Sequence, residues 1–340
     1  MRPHVAILGA GPAGLSAAVC LQRLGVASTV LERGPALAAG LRRIDPEMEI
    51  LSPTRLSLVP GMRRLAADPP YLTFPAYIDK LEQLSAEYRV AVRTGAEVIR
   101  VSRSHHGFSV FLRDGTALDC THVISAMGIV SFPRLPSRFD STVSRYHWLH
   151  SIDFRTSHLA EARRLLVVGG GQSAVEVLER WLTHRQEGDR AWLSVRSPTR
   201  TLPHRVFGID VHYVAWPFEF LRPRLLGLDP ATFREPVLGL TVSRALRSGV
   251  IGRVPEIGDY THGPLEPDLI VFATGFDYAL EHVGDLIGGG ARWPRVRECE
   301  SVDSPGLYFL GLRHCRTLAS AYLRGIARDA RAVATRIARG

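Results

Sequence analysis

The chain has 340 residues, of which 46% are hydrophobic and 22% charged, and its formal net charge is +9. This length is enough for two domains with separate cores, and no apolar run reaches the ~18 residues that a membrane span needs. Lys80 is the only lysine among the 42 basic residues, so the charge comes from arginines scattered along the sequence. Because no compact basic run with interleaved aromatic residues occurs, we expect no nucleic-acid partner.

The four cysteines are isolated in sequence: Cys20, Cys120, Cys299 and Cys315. The absence of a CxxC motif argues against a thioredoxin-reductase-type dithiol and against a cysteine-based zinc site of ordinary spacing. With no secretion signal and no disulfide framework, we expect a cytoplasmic protein.

The first 32 residues predict a dinucleotide-binding unit. A buried strand over residues 5–8 runs into a turn with Gly9, Gly11 and Gly14, and a helix follows. A second strand over residues 27–31 ends in Glu32, 18 residues past Gly14. Glycines at these positions allow a tight turn, close approach of a pyrophosphate and close helix packing, while the acid suits a ribose hydroxyl.

The next segment is irregular and then mixed in secondary structure. Proline and glycine punctuation predicts loops as far as Pro75, and apolar spacing predicts a helix over residues 77–88. Alternating residues on both sides of Asp114-Gly115 predict a hairpin. A further buried strand over residues 122–128 ends at a glycine.

A second fingerprint begins at residue 164. A buried strand meets Gly169, Gly171 and Ala174, a helix follows, and a strand over residues 192–195 ends in Arg196. Alanine is allowed at the third glycine position. Arg196 stands where the first copy has an acid, and a guanidinium suits the 2′-phosphate of NADPH.

Strands that end in glycine turns return over residues 268–275 and 307–311, and a helix closes the chain. Because the two fingerprints are 160 residues apart and strands return after the second, we predict an inserted domain. The expected fold is α/β, with two Rossmann-like dinucleotide-binding domains. Residues 1–154 and 266–340 form the first, and residues 155–265 form the second, NADPH-binding one.

Together these motifs resemble the two-dinucleotide-binding flavoproteins, and among them the flavin-containing monooxygenase family and its bacterial relatives. Gly9–Gly14 with Glu32 is similar to the family's FAD site, and Gly169–Ala174 with Arg196 to its NADPH site. Phe272–Phe276 resembles the family's ATG linker strand. The residues expected to bind FAD and NADPH are Gly9, Ala10, Gly11, Pro12, Ala13, Gly14, Glu32, Arg33, Gly40, Leu41, Val98, Gly128, Gly169, Gly171, Gln172, Ser173, Ala174, Arg196, Ser197, Gly275 and Gly311.

The family's identifying motif, FxGxxxHxxxF/Y, is only half present. His150 and Phe154 match its second half, whereas Ser144 and Tyr146 replace the required Phe and Gly. Arg42 replaces a tryptophan often found there, and the loop at Ser52 lacks the family's flavin-proximal asparagine. His150 is the one candidate catalytic residue, and a structural histidine at the domain junction is the alternative. No metal ligand set is apparent.

The resemblance implies a monooxygenase that transfers one oxygen atom from O₂ to a small-molecule substrate through a flavin C4a-hydroperoxide. An NADPH-dependent reductase or oxidase acting on an external disulfide or quinone stays an alternative, as does a noncatalytic redox-sensing role. The sequence identifies neither the substrate nor the oligomeric state, and a homodimer stays open.

Overall fold

A computed structural model describes residues 3–130, 132–136, 146–196, 201–222, 227, 236–254, 265–288 and 293–340. Its strands, numbered along the chain, are β1 His4–Leu8, β2 Ala27–Leu31, β3 Val92–Arg93, β4 Val98–Ser104, β5 Gly107–Leu112, β6 Ala117–Cys120, β7 His122–Ser125, β8 Phe132–Pro133, β9 His147–His150, β10 Arg164–Val168, β11 Arg190–Ser194, β12 Thr201–Leu202, β13 Arg205–Val206, β14 Ile209–Asp210, β15 Val237–Leu238, β16 Ile251–Val254, β17 Leu269–Phe272, β18 Phe276–Asp277, β19 Val296–Arg297, β20 Glu300–Ser301 and β21 Leu307–Phe309.

The α-helices are α1 Pro12–Arg23, α2 Thr54–Ser57, α3 Phe74–Glu87, α4 Gln172–His184, α5 Val211–Glu219, α6 Leu240–Arg247 and α7 Leu323–Arg339. Short 3₁₀ helices lie at Leu41–Arg43, Thr156–Ala160, Glu281–Leu286 and Leu318–Ala321. Among the residues described, no helix combines the length and apolar character needed to cross a membrane.

The first sheet has seven strands in the order β19-β20-β21-β7-β1-β2-β3. The five strands from β21 to β3 are parallel, and β19 and β20 pair antiparallel at one edge. β1 is a nearly continuous apolar run and the last three residues of β7 are buried, because parallel strands are covered on both faces. The chain moves from β1 to β2 on one side and to β7 on the other. The resulting reversal of strand order at β1 is where doubly wound sheets bind ligands.

The second sheet has five parallel strands in the order β16-β11-β10-β17-β9. Helix α4 packs against it with Trp181 and Leu178 fully buried. The protein therefore has the predicted α/β fold with two Rossmann-like sheets.

The limits of the inserted unit are broader than the predicted residues 155–265. Strands β9 and β17 lie outside that range but pair with each other and extend the second sheet. The sequence places both strands in the first unit, because a short apolar strand does not reveal in which sheet it pairs. We propose that the second unit runs from about residue 146 to about residue 273.

The chain crosses between the two sheets along a short antiparallel ribbon. β8 pairs with β18, and the Arg134 N–H donates to the Gly275 carbonyl at 3.0 Å. The two crossings therefore lie side by side at the junction of the units.

Helix α3 begins earlier than predicted. Thr73 caps it by accepting from the Ala76 N–H, and Pro75 lies in its first turn. Proline is favoured there because the first helical N–H groups have no intrahelical partner, so Pro75 starts the helix instead of ending a loop.

Candidate functional site

The first fingerprint lies at the carboxyl edge of the seven-stranded sheet. β1, β2, β7 and β21 all end at this edge, so the turns that follow them lie close together. The Gly9 N–H donates to the Leu31 carbonyl at 2.7 Å, which joins the turn after β1 to the end of β2.

The three glycines of this turn have different steric surroundings. Gly9 has φ +103°, and a Cβ there would lie 2.7 Å from the Ala126 carbonyl oxygen. A Cβ on Gly14 would lie 1.9 Å from the Gly9 carbonyl oxygen, so the helix can pack on the turn only without a side chain. A Cβ on Gly11 would meet nothing within 4 Å. The open space at Gly11, just before the first turn of α1, fits a diphosphate held by helix N–H groups.

Glu32 is buried at the end of β2. Its carboxylate accepts the Ala10 N–H at 3.0 Å and the Gly34 N–H at 2.8 Å. Each carboxylate oxygen has a further lone pair, so the same group can also accept from a ribose hydroxyl. Glu32 therefore shapes the turn and presents an acceptor at its edge.

The other residues predicted for this site come from distant parts of the chain. A Cβ on Gly311 would lie 3.9 Å from the Ala13 methyl carbon, which places the turn after β21 beside the fingerprint helix. Gly40 lies against Val130, close to the Gly128 turn. Leu41 begins a 3₁₀ helix, and the Arg33 guanidinium lies 5.8 Å from the centre of the Phe132 ring.

Val98 begins β4 in the separate three-stranded sheet β4-β5-β6. Ala96, two residues earlier, donates its N–H to the Glu32 carbonyl at 2.8 Å. This contact brings the start of β4 to the edge where Glu32 lies.

The second fingerprint repeats this geometry at the end of β10. Gly169 has φ +123°, and a Cβ there would lie 2.2 Å from the Ala273 carbonyl oxygen, whereas a Cβ on Gly171 would meet nothing within 4 Å. Ala174 is buried in the first turn of α4, and Arg196 is exposed just after β11. The open glycine again fits a diphosphate, and Arg196 follows the neighbouring strand, where the fingerprint expects the residue that contacts the ribose.

The other residues predicted for this second site are Gln172, Ser173 and Ser197. The Gln172 amide donates to the Leu238 carbonyl at 3.2 Å and accepts the Leu238 N–H at 2.9 Å, so it ties β15 to the start of α4. Ser173 is half-buried in the same turn, and Ser197 lies outside the described residues.

His150 lies at the end of β9 with both ring nitrogens in use. Nδ1 accepts the Ile152 N–H at 3.3 Å, which leaves Nε2 to donate to the Gly275 carbonyl at 3.1 Å. Burial lowers the pKa of His150, and its ring meets Phe276 edge-on at 4.9 Å. These contacts fix a neutral ring across the domain junction and favour the structural alternative; a catalytic role stays a hypothesis.

A cavity of about 400 Å³ lies between residues 53–71 of the first unit and residues 205–213 of the second. The Tyr71 hydroxyl donates to Asp210, whose carboxylate also accepts from His212 Nδ1 at 2.8 Å. Burial and the hydrogen bond to Asp210 raise the pKa of Tyr71 to about 12, and burial lowers the pKa of His212. In the sequence, the one signal for this trio is the spacing of Asp210 and His212, which lie two residues apart in a segment with no other motif.

Three arginines line the same cavity: Arg55, Arg64 and Arg205. Each is exposed, and within the described ranges none of them forms an ion pair with a carboxylate. Asp68 and Asp210 also line the cavity, but Asp68 is paired with Lys80 at 2.8 Å, so Asp210 is the one lining carboxylate set against the three arginines. The cavity therefore presents excess positive charge beside the rings of Tyr71 and Tyr213.

Comparison with known proteins identifies a family and relatives that this chain resembles. A family model described as pyridine nucleotide-disulphide oxidoreductase matches residues 6–199. The indole-3-pyruvate monooxygenase YUCCA1 of Oryza sativa subsp. japonica is 28% identical over 328 residues, covering 84% of this chain and 80% of its own.

Among solved structures, the flavin-containing monooxygenase of Stenotrophomonas maltophilia matches with a TM-score of 0.79 at 23% identity, over 98% of both chains. The bacillithiol disulfide reductase of Bacillus cereus matches with a TM-score of 0.71 at 18% identity, over 100% of this chain and 99% of the other. These similarities confirm the resemblance that the motifs indicated.

Proposed function

Because the chain belongs to the pyridine nucleotide-disulphide oxidoreductase family, we propose that it is a flavin-dependent monooxygenase that uses FAD and NADPH. The observation that carries this proposal is the pair of turns after β1 and β10, each with an open glycine before a helix. The similarity to an indole-3-pyruvate monooxygenase over most of the chain supports oxygenation.

In this proposal FAD is held at the edge of the first sheet. The N–H groups at the start of α1 and the bare backbone at Gly11 receive the diphosphate, and Glu32 accepts from the ribose. The turns at Gly128 and Gly311 border the same site. FAD supplies the chemistry with O₂, and the protein supplies binding, orientation and a dry environment.

NADPH binds in the same way at the end of β10. Gly171 leaves room for the diphosphate, and Arg196 donates charge-assisted hydrogen bonds to the 2′-phosphate. The hydrogen bond between His150 and the Gly275 carbonyl holds the crossing between the two units that would carry the two cofactors.

The cavity between the units is our proposed substrate site. Its arginines favour a small anionic molecule, since a guanidinium pairs well with a carboxylate. Tyr71 and Tyr213 offer ring surface to the rest of the substrate. The name of the rice relative, an indole-3-pyruvate monooxygenase, describes an aromatic acid of this kind.

Stopped-flow absorbance tests the oxygenation step. The FAD-loaded protein is reduced with NADPH without oxygen and then mixed with aerated buffer. A persistent species whose spectrum matches neither oxidised nor reduced flavin supports the monooxygenase. Direct return to oxidised flavin with stoichiometric peroxide, unchanged by organic acids, would refute it.

A reductase is the second candidate, and the fold similarity to a disulfide reductase favours it. Such an enzyme would transfer electrons from NADPH to a disulfide or quinone at the same rate with and without oxygen. Turnover with these acceptors under argon decides between the two functions.

A further inference from the structure

Two cysteines that are far apart in the sequence meet in the core of the first unit. Cys299 precedes β20, and Cys315 follows the Gly311 turn. Their Sγ atoms are 2.8 Å apart, closer than van der Waals contact between two sulphur atoms, and both side chains are buried. The Cys299 N–H also donates to the Cys315 carbonyl at 3.3 Å, so backbone and side chains hold the two residues together.

The backbone adopts unfavourable conformations at Cys299 and just before each of the two cysteines. Glu298, Cys299 and His314 have φ angles of +51°, +69° and +56°, in the left-handed region that non-glycine residues rarely occupy. Each such conformation is unfavourable and persists only where its surroundings impose it. Here these conformations bring the two thiols face to face.

Asp329 of α7 completes the group. Its side chain is buried and Oδ1 lies 3.5 Å from the Arg316 guanidinium, while Oδ2 has no hydrogen-bond partner among the residues that the structure describes. The ligand atoms of Cys299, Cys315 and Asp329 all lie within 4.8 Å of one another, as in a metal site.

Two observations argue against a metal ion here. Two thiolates bound to zinc at about 2.3 Å each would hold their sulphurs about 3.8 Å apart in tetrahedral geometry. The observed separation is shorter, and Arg316 already places a positive charge beside Asp329. The geometry instead fits two thiols ready to join.

We propose that Cys299 and Cys315 are a redox-active pair which hydrogen peroxide oxidises to a disulfide. One thiol loses its proton to Asp329, and its sulphur attacks the peroxide; the O–O bond breaks, giving a sulfenic acid and, once protonated, water. The second thiol displaces the hydroxyl, so the S–S bond forms and a second water leaves. Two thiols are oxidised and one peroxide is reduced.

A base is needed at this position because burial disfavours the charged thiolate. The hydrogen bond to Cys315 together with burial raises the pKa of the Cys299 thiol, and burial raises that of Cys315. Burial also raises the pKa of the Asp329 carboxyl, which makes it a better proton acceptor. Asp329 therefore lowers the cost of forming a thiolate in the core.

The disulfide would fix the turn at Gly311. The closed loop runs from Cys299 to Cys315 and contains β20, β21 and Gly311, which lies beside the fingerprint helix. Oxidation should therefore slow the release of FAD. This consequence, unlike formation of the disulfide, rests on the proposed function.

Peptide mapping tests the disulfide itself. The FAD-loaded protein is treated with hydrogen peroxide or with dithiothreitol, alkylated after denaturation and digested with trypsin. Cleavage after Arg297, Arg313 and Arg316 puts the two cysteines in separate peptides, residues 298–313 and 314–316. We expect these peptides to be joined after peroxide treatment and separate after reduction.

The Cys20→Ala variant, which leaves the pair intact, should give the same joined peptide, and Cys315→Ala should not. Full alkylation of Cys299 and Cys315 after peroxide treatment would overturn the proposal. So would a stoichiometric metal ion in the protein whose removal by a chelator is needed before either cysteine reacts. Neither result depends on turnover, so both are separable from failure of the proposed function.

The rate of FAD release, followed by the recovery of flavin fluorescence, tests the link to Gly311. We expect a severalfold slower release from the oxidised protein, and no effect of peroxide in Cys315→Ala. Equal rates for the joined and reduced forms would overturn the effect on FAD binding.

Discussion

Replacing Gly11 with alanine should weaken FAD binding without weakening the fold. Gly11 has φ −83° and ψ −170°, a conformation open to any residue, and a Cβ there meets no protein atom within 4 Å. We therefore expect the free energy of unfolding of the apoprotein to change by less than about 1 kcal/mol. In the proposed FAD site the same methyl group would occupy the space of the diphosphate, so the Kd for FAD should rise at least tenfold, or about 1.4 kcal/mol.

Gly14→Ala is the matched comparison, one helical turn away. Its Cβ would lie 1.9 Å from the Gly9 carbonyl oxygen and 3.3 Å from the Ile7 side chain. The backbone must shift to relieve this contact, so we expect a loss of about 1–3 kcal/mol in stability, as for other overpacked cores. The same methyl change is thus local at Gly11 and structural at Gly14.

Two measurements on each apoprotein separate these effects: denaturant unfolding, and titration with FAD followed by flavin fluorescence quenching. An unchanged Kd in Gly11→Ala would show that the diphosphate does not lie over this turn. A Gly14→Ala protein as stable as the parent would show that the helix does not pack on Gly9 as described.

Three further changes have defined outcomes. Gly171→Ala should raise the KM for NADPH at least tenfold while the FAD content of the purified protein is unchanged. Arg196→Ala should lower kcat/KM for NADPH by a factor that corresponds to about 1.5–3 kcal/mol, the free energy typical of a charged hydrogen bond. The kcat/KM for NADH should not change, so equal losses with both cofactors would contradict the assignment of Arg196. Burial lowers the pKa of His282 to about 4, from an ordinary value near 6.5. Between these pKa values the unfolded chain binds a proton at His282 and the folded chain does not. The free energy of unfolding should therefore fall by about 2 kcal/mol from about pH 8 to about pH 5. Denaturant unfolding of His282→Gln should show a smaller fall, whereas exposed His106→Gln should keep all of it.

The elements around the two fingerprints could be predicted because their signals are local. β2 has the predicted bounds, and the strand before Gly9 is longer by one residue. An apolar run, a glycine turn and a helical pattern each depend on a few adjacent residues. The steric role of each glycine also follows from its place in the turn. Contacts from Ala126, Ala273 and Ala13 show which of these turns meet.

Strand pairing and side-chain contacts between residues far apart in the sequence could not be predicted. β9 and β17 each look like a lone strand, and only their hydrogen bonds assign them to the second sheet. Tyr71 and Asp210 are 139 residues apart, so their contact depends on how the two units are packed.

The cysteine pair is another long-range contact that could not be predicted, and here the sequence pattern argued against it. The absence of CxxC argued against a dithiol, because that motif is how two thiols become neighbours within one turn. Here the β20–β21 connection and the Gly311 turn bring together cysteines that are 16 positions apart. The left-handed backbone at Cys299 and His314 is what allows the approach, and nothing in the residue types at those positions indicates it. A spacing motif therefore predicts that two cysteines are neighbours, but the absence of the motif does not show that they are apart.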